Sequence, residues 1–176
     1  EGISISYTSS ADAVPMAIRQ SLSSTLVIYT PAVPANNEIF AYFAQHKAQM
    51  HKRARVLGMI ADNYSTIAVS GTHGKTTNSC VLANILKCAS LDGFAFLGGI
   101  SRSLNSNLML PERDESYSSP STWLVAEADE FDRSFLWLHP QITIVTYVDA
   151  DHLDIYKNRD ELIKTFGQFV AQTSPT

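Results

Sequence analysis

The sequence predicts an α/β fold, a mainly parallel sheet flanked by helices. Three observations carry that expectation. Short runs such as residues 25–29 (TLVIY), 65–70 (STIAVS) and 141–147 (QITIVTY) are apolar along most of their length, as strands covered on both faces are. Segments with apolar residues at helical spacing lie between them. A glycine-containing turn, residues 71–77 (GTHGKTT), falls directly between a strand and a helix.

Taken in order, residues 2–7 alternate apolar and polar side chains and read as a short strand. Residues 11–22 have helical spacing, with Pro15 limiting the helix to a first turn or a kink. Residues 25–29 form a buried strand that Pro31 and Pro34 terminate. Residues 37–46 read as a helix with Ile39, Phe40, Phe43 and Ala44 on one face and Asn36 or Asn37 as cap. A second helix spans about 52–60, and the polar stretch 62–65 is the best internal boundary.

The strand 65–70 then runs into the turn and an apolar helix to about residue 89. Residues 94–97 form a strand closed by Gly98 and Gly99. Residues 101–121, rich in Ser, Asn and charge, read as a long loop or exposed hairpin. Strands at 122–126 and 141–147 flank one or two helical turns, and 160–170 is the closing helix.

Composition narrows the classes. With 176 residues, 45% of them hydrophobic, the chain can bury a core, which excludes global disorder. Its 17 acidic and 13 basic residues give a charge of −4, against a nucleic-acid partner. No run approaches the roughly 18 apolar residues of a membrane span. Two cysteines, Cys80 and Cys88, are too few for a disulfide framework and fit a reducing, cytoplasmic compartment.

The turn carries the chemistry. A strand, a tight turn and a helix N-terminus aim backbone N–H groups and the helix dipole at one point, a natural seat for a polyphosphate. Gly71, Thr72, His73, Gly74, Lys75, Thr76 and Thr77 are thus the candidate ATP-binding residues. Lys75 reaches the phosphates and the Thr76 hydroxyl ligates Mg²⁺. The common phosphate loop has a glycine where this chain has Val69, so this is a shortened variant.

Two acidic clusters follow, each at the end of a strand: Glu127, Asp129, Glu130 and Asp132, then Asp149, Asp151 and Asp154 with His152 between. Ligand sites in open α/β sheets lie beyond the carboxyl ends of the strands, so these clusters and the turn are expected at one edge. Such carboxylates can hold the magnesium that accompanies a nucleotide. Zinc is the poorer reading, since a single histidine sits there with no cysteine nearby. His46, His51 and His139 read as surface or satisfied residues.

Together, VSGTHGKTT (69–77), AEADEFDRSFLWLHP (126–140) and DADHLDIY (149–156) closely resemble the Mur ligases. LVIYTPAVPANNE (26–38) and HKRARVLG (51–58) extend the resemblance over nearly the whole chain. It implies the end of a Rossmann-like UDP-sugar domain at 1–62, then the first part of a central, P-loop NTPase-like ATP-binding domain at 63–176. It implies an ATP-dependent ligation in peptidoglycan synthesis, joining L-alanine to UDP-N-acetylmuramate through an acyl phosphate. On that resemblance Lys75, Glu127 and His152 are catalytic, and Thr76, Glu127 and His152 hold Mg²⁺. Thr30, Arg53, His73 and Asn107 face the substrate. Asp129, Glu130, Asp151 and Asp154 carry no assigned role.

Two departures stand out. The family's strand before the second acidic cluster ends Thr-Asn, where this chain has Thr146-Tyr147. No glycine-rich loop opens the first 20 residues, and the chain starts at Glu1, so it is expected to be a fragment unable to complete the reaction alone. The alternatives are a murein tripeptide recycling ligase, a nucleotide-binding ATPase module, and a structural remnant that binds nothing. The motifs specify no oligomeric state.

Overall fold

The computed structural model describes residues 3–34, 36–111, 122–149 and 156–174, and the chain divides into two units, Glu1–Val56 and Leu57–Thr176. In the first unit Pro15 splits the expected helix. A 3-10 turn (Ala11–Ala13) precedes it, and α1 (Met16–Gln20) and a further 3-10 turn (Leu22–Ser24) follow. Proline lacks the N–H that would continue the ladder, and it sits where α1 begins. Arg19 ties the pieces together by donating to the carbonyls of Val14 (2.9 Å) and Ala11 (2.6 Å).

Strand β1 (Leu26–Tyr29) pairs in parallel with β2 (Gln49–Lys52), in the register Leu26 to Gln49. Between them runs α2 (Glu38–Gln45), capped by Asn37, whose side-chain oxygen accepts the Phe40 amide at 2.9 Å. Helix α3 (Arg53–Ala61) follows, and the division between the units falls within it. Two expectations fail here. Residues 3–7 are irregular rather than a strand, because among the described residues nothing pairs with them, and Tyr7 is 96% exposed. Strand β1 is only half-buried, with Ile28 at 51% exposure, since a two-stranded pair leaves a face open.

The second unit is a five-stranded sheet of β3 (Ser65–Ser70), β4 (Gly93–Ser101), β5 (Ser106–Met109), β6 (Trp123–Glu127) and β7 (Ile142–Val145), in the order β5-β4-β6-β3-β7. All neighbours run parallel except β4 and β5, which form an antiparallel hairpin. Strand β4 continues through Gly98 and Gly99 instead of ending there, and the hairpin occupies the start of the segment read as a long loop or exposed hairpin.

Alternate strand residues feed two cores. Ile67, Ala95, Leu97 and Val125 pack with Ala83 and Leu86 of α4 (Lys75–Cys88). Ala68, Leu124 and Ala126 belong to the opposite cluster, with Phe135, Leu138, and Leu162, Phe166 and Phe169 of α5 (Arg159–Ala171). Phe135 stacks on Phe169 at 4.7 Å and meets Phe166 edge-on at 5.2 Å. Covering both faces explains why β3 and β6 read as continuous apolar runs. Among the described residues no helix is long and apolar enough to cross a membrane.

Candidate active site

The turn after β3 is built by two glycines that no other residue replaces cheaply. Gly71 has φ +132°, and a Cβ there would stand 2.2 Å from Thr146 Oγ1 and 2.8 Å from the Tyr147 carbonyl. Gly74, at φ +82°, is the N-cap of α4 and supplies no side-chain cap. The first N–H groups of α4 therefore keep no capping acceptor from Gly74, and the helix dipole adds positive potential at the same end.

One flank of the turn is stitched to the chain after β7. Thr146 N–H donates to Ser70 O at 2.9 Å, and its hydroxyl donates to Ser70 O and His73 O. Thr72 N–H donates to the Tyr147 carbonyl at 2.9 Å, and the Asp149 amide donates to Thr72 Oγ1 at 3.2 Å. None of these contacts uses the Tyr147 side chain, and the one that Tyr147 makes uses its carbonyl, so the departure from asparagine leaves them intact. The Tyr147 ring lies nearly parallel to that of His73, 22° apart with centroids 6.1 Å away, and both residues are exposed.

The other flank is the end of β6, which pairs with β3 in the register Val69 to Glu127. Thr76 Oγ1 donates to Glu127 Oε1 at 3.1 Å, and the Gly98 amide donates to Glu127 Oε2 at 2.8 Å. Lys75 Nζ donates to the Gly71 carbonyl at 2.7 Å and to both carboxylate oxygens of Glu130, at 3.0 and 2.9 Å. The Lys75 side chain is 16% exposed and that of Glu130 is 0% exposed. A buried ion pair of this kind needs most of its donors and acceptors matched, and here three oxygens lie within 3.0 Å of the ammonium nitrogen.

The structure thus brings Lys75, Thr76 and Glu127 together. Thr77 lies exposed in the first turn of α4, and Asn107 is exposed on the edge strand β5. Thr30 directly follows β1, and Arg53 opens α3. His152, Asp151 and Asp154 lie outside the described residues. Two residues were not foreseen in their roles. Glu130 sits in the first acidic cluster, and its position within that cluster is the only sequence signal of its pairing with Lys75. Thr146 closes the loop through its hydroxyl, and the sequence marked it only as the threonine of the Thr-Asn strand end, with no role attached.

The donor set fits a phosphate with a hard cation. A lysine, the first amides of α4, which Gly74 does not cap, a hydroxyl and a carboxylate meet within one edge, and magnesium takes oxygen ligands of the last two kinds. Among the described residues no group of three His, Cys, Asp or Glu side chains forms a metal site by itself.

Residues 69–176 match the family model described as the Mur ligase middle domain. The UDP-N-acetylmuramate–L-alanine ligases of Phocaeicola vulgatus and Parabacteroides distasonis are 42% and 44% identical to this chain over 99% of it. The chain spans 36% of the length of each. Among solved structures, the UDP-N-acetylmuramate–alanine ligase of Thermotoga maritima superposes with a TM-score of 0.73 at 27% identity, over 90% of this chain and 36% of that one. A murein peptide ligase of Psychrobacter arcticus shares the fold, with a TM-score of 0.71 at 23% identity over 98% of this chain and 38% of that one.

Proposed function

The chain belongs to the Mur ligase family, and from that premise we propose that it carries the phosphate-binding centre of an ATP-dependent ligase joining L-alanine to UDP-N-acetylmuramate in peptidoglycan synthesis. The observation that carries the reading is the meeting of Lys75, Thr76 and Glu127 at the carboxyl ends of β3 and β6. The names of relatives at 42–44% identity supply the substrates. Residues 1–62 then belong to the end of the UDP-sugar domain and 63–176 to the central ATP-binding domain. The cytoplasm suits the two free cysteines.

The proposed chemistry is phosphoryl transfer to a carboxylate followed by attack of an amine, which gathers negative charge in one place. Lys75 places a cation against that charge, and the N–H groups at the start of α4 add donors aimed the same way. Thr76 Oγ1 would serve the Mg²⁺ of the nucleotide, and Glu127 and His152 would hold a second Mg²⁺ on the acceptor side. Mg²⁺ held there would supply the remaining neutralisation. Glu127 keeps its orientation through the Gly98 amide, so its second oxygen stays on Thr76. His73, Thr30, Arg53 and Asn107 are assigned to the substrate side.

Phosphate release measured with Mg·ATP alone, then with UDP-N-acetylmuramate and L-alanine added, tests the reading. Saturable Mg·ATP binding without acceptor-independent release is the expected result. Rapid release from ATP alone would instead indicate a nucleotide-hydrolysing module.

A further inference from the structure

We infer that Glu130 is the positioning residue of the phosphate loop: its buried carboxylate holds the Lys75 ammonium in place so that the loop is ready for a nucleotide. The inference rests on the ATP reading above and deepens it. Lys75 has four flexible methylenes, and a lysine on a loop of this kind would otherwise sample many rotamers. Here its ammonium is held between Gly71 O and both oxygens of Glu130. The first contact closes the loop on itself. The other two anchor it to the segment after β6, 55 residues away in sequence.

Glu130 is itself braced. It precedes the 3-10 turn Phe131–Trp137, and its carbonyl accepts the Arg133 amide at 3.0 Å and the hydroxyl of fully buried Tyr156. Asp129 secures the same turn by accepting the Phe131 amide on its carboxylate and the Phe135 amide on its carbonyl. Asp132 and Arg133 both adopt left-handed backbone, φ 52° and 54°, a costly conformation for two consecutive non-glycine residues. Arg133 is then fixed to Glu161 of α5 at 2.7 Å. Strain that the surroundings over-determine marks a segment whose shape matters, and the side chain this segment presents to the loop is Glu130.

The experiment is a double-mutant cycle on the 176-residue chain, with Mg·ATP affinity measured for wild type, Glu130→Gln, Lys75→Ala and the double variant. Glutamine keeps the shape and one acceptor, and thermal melting confirms that each variant is folded. Glu130→Gln is expected to weaken Mg·ATP binding about tenfold, in line with losing charged hydrogen bonds. It should have no added effect in the Lys75→Ala background. A second readout is the ¹⁵N resonance of the Lys75 ammonium, identified by its loss in Lys75→Ala. It should persist in wild type and broaden away in Glu130→Gln, while the amide spectrum stays dispersed. Unchanged affinity in Glu130→Gln, or an equal loss in both backgrounds, overturns the inference and leaves the nucleotide reading standing. A wild-type chain that does not bind Mg·ATP overturns both.

Discussion

The backbone amide of Gly98 donates to the Glu127 carboxylate at 2.8 Å, and a methyl group on Gly98 would come within 2.5 Å of that same carboxylate. One strand therefore orients the proposed metal ligand of its neighbour, and does so only while it carries no side chain. Gly98→Ala should cost less than about 1 kcal/mol in stability, because the displaced atoms are the free end of a side chain. It should lower magnesium-dependent ATP affinity about tenfold, as loss of an orienting partner does. Urea unfolding and a magnesium titration at fixed ATP separate the two effects.

Gly71 tolerates far less. With φ +132° and Thr146 Oγ1 only 2.2 Å from where a Cβ would sit, Gly71→Ala combines backbone strain with a clash. A loss of about 2–4 kcal/mol is expected in chemical denaturation.

The stack of Phe135 on Phe169, both fully buried, anchors the 3-10 turn that carries Glu130 at its head. Phe135→Ala should destabilise the unit by about 3–5 kcal/mol through the cavity it leaves. Denaturant midpoints at constant slope would show this.

Tyr156 gives a pH signature. Burial pushes its hydroxyl up from 10.0 to about 12, with Arg133 opposing and Glu130 adding to the rise. The folded state holds the proton more tightly than the unfolded state. Its contribution is therefore full below about pH 10 and lost as pH rises toward 12. Stability should fall by about 2–3 kcal/mol across that window, and Tyr156→Phe should remove this part of the slope. Absorbance titration of tyrosinate, wild type against variant, identifies the group.

How much of this was legible in the sequence differs by element. Strands β3 and β6 announce themselves because burial on both faces leaves continuous apolar runs, β7 by its β-branched residues, and helices α4 and α5 by apolar residues at helical spacing. Strand β2 (QMHK) does not, since it is polar and owes its conformation to pairing with β1. Gly98 and Gly99 read as an ending, whereas they continue β4 and make room for Glu127 and Thr76. The loop could be read from the strand-turn-helix pattern, and the place of Glu127 beside it from its position at the end of an apolar strand. The pairing of Lys75 with Glu130 could not, because it depends on a turn held by Tyr156 and on left-handed backbone at Asp132 and Arg133.

Lys75 is the residue proposed to make this loop a nucleotide site. Calorimetric titration of the chain with Mg·ATP, wild type against Lys75→Ala, measures that role most directly. Saturable one-site binding is expected in wild type, falling at least about tenfold when the charged hydrogen bonds of Lys75 are removed. Equal affinity of the two proteins, with both folded, would contradict it.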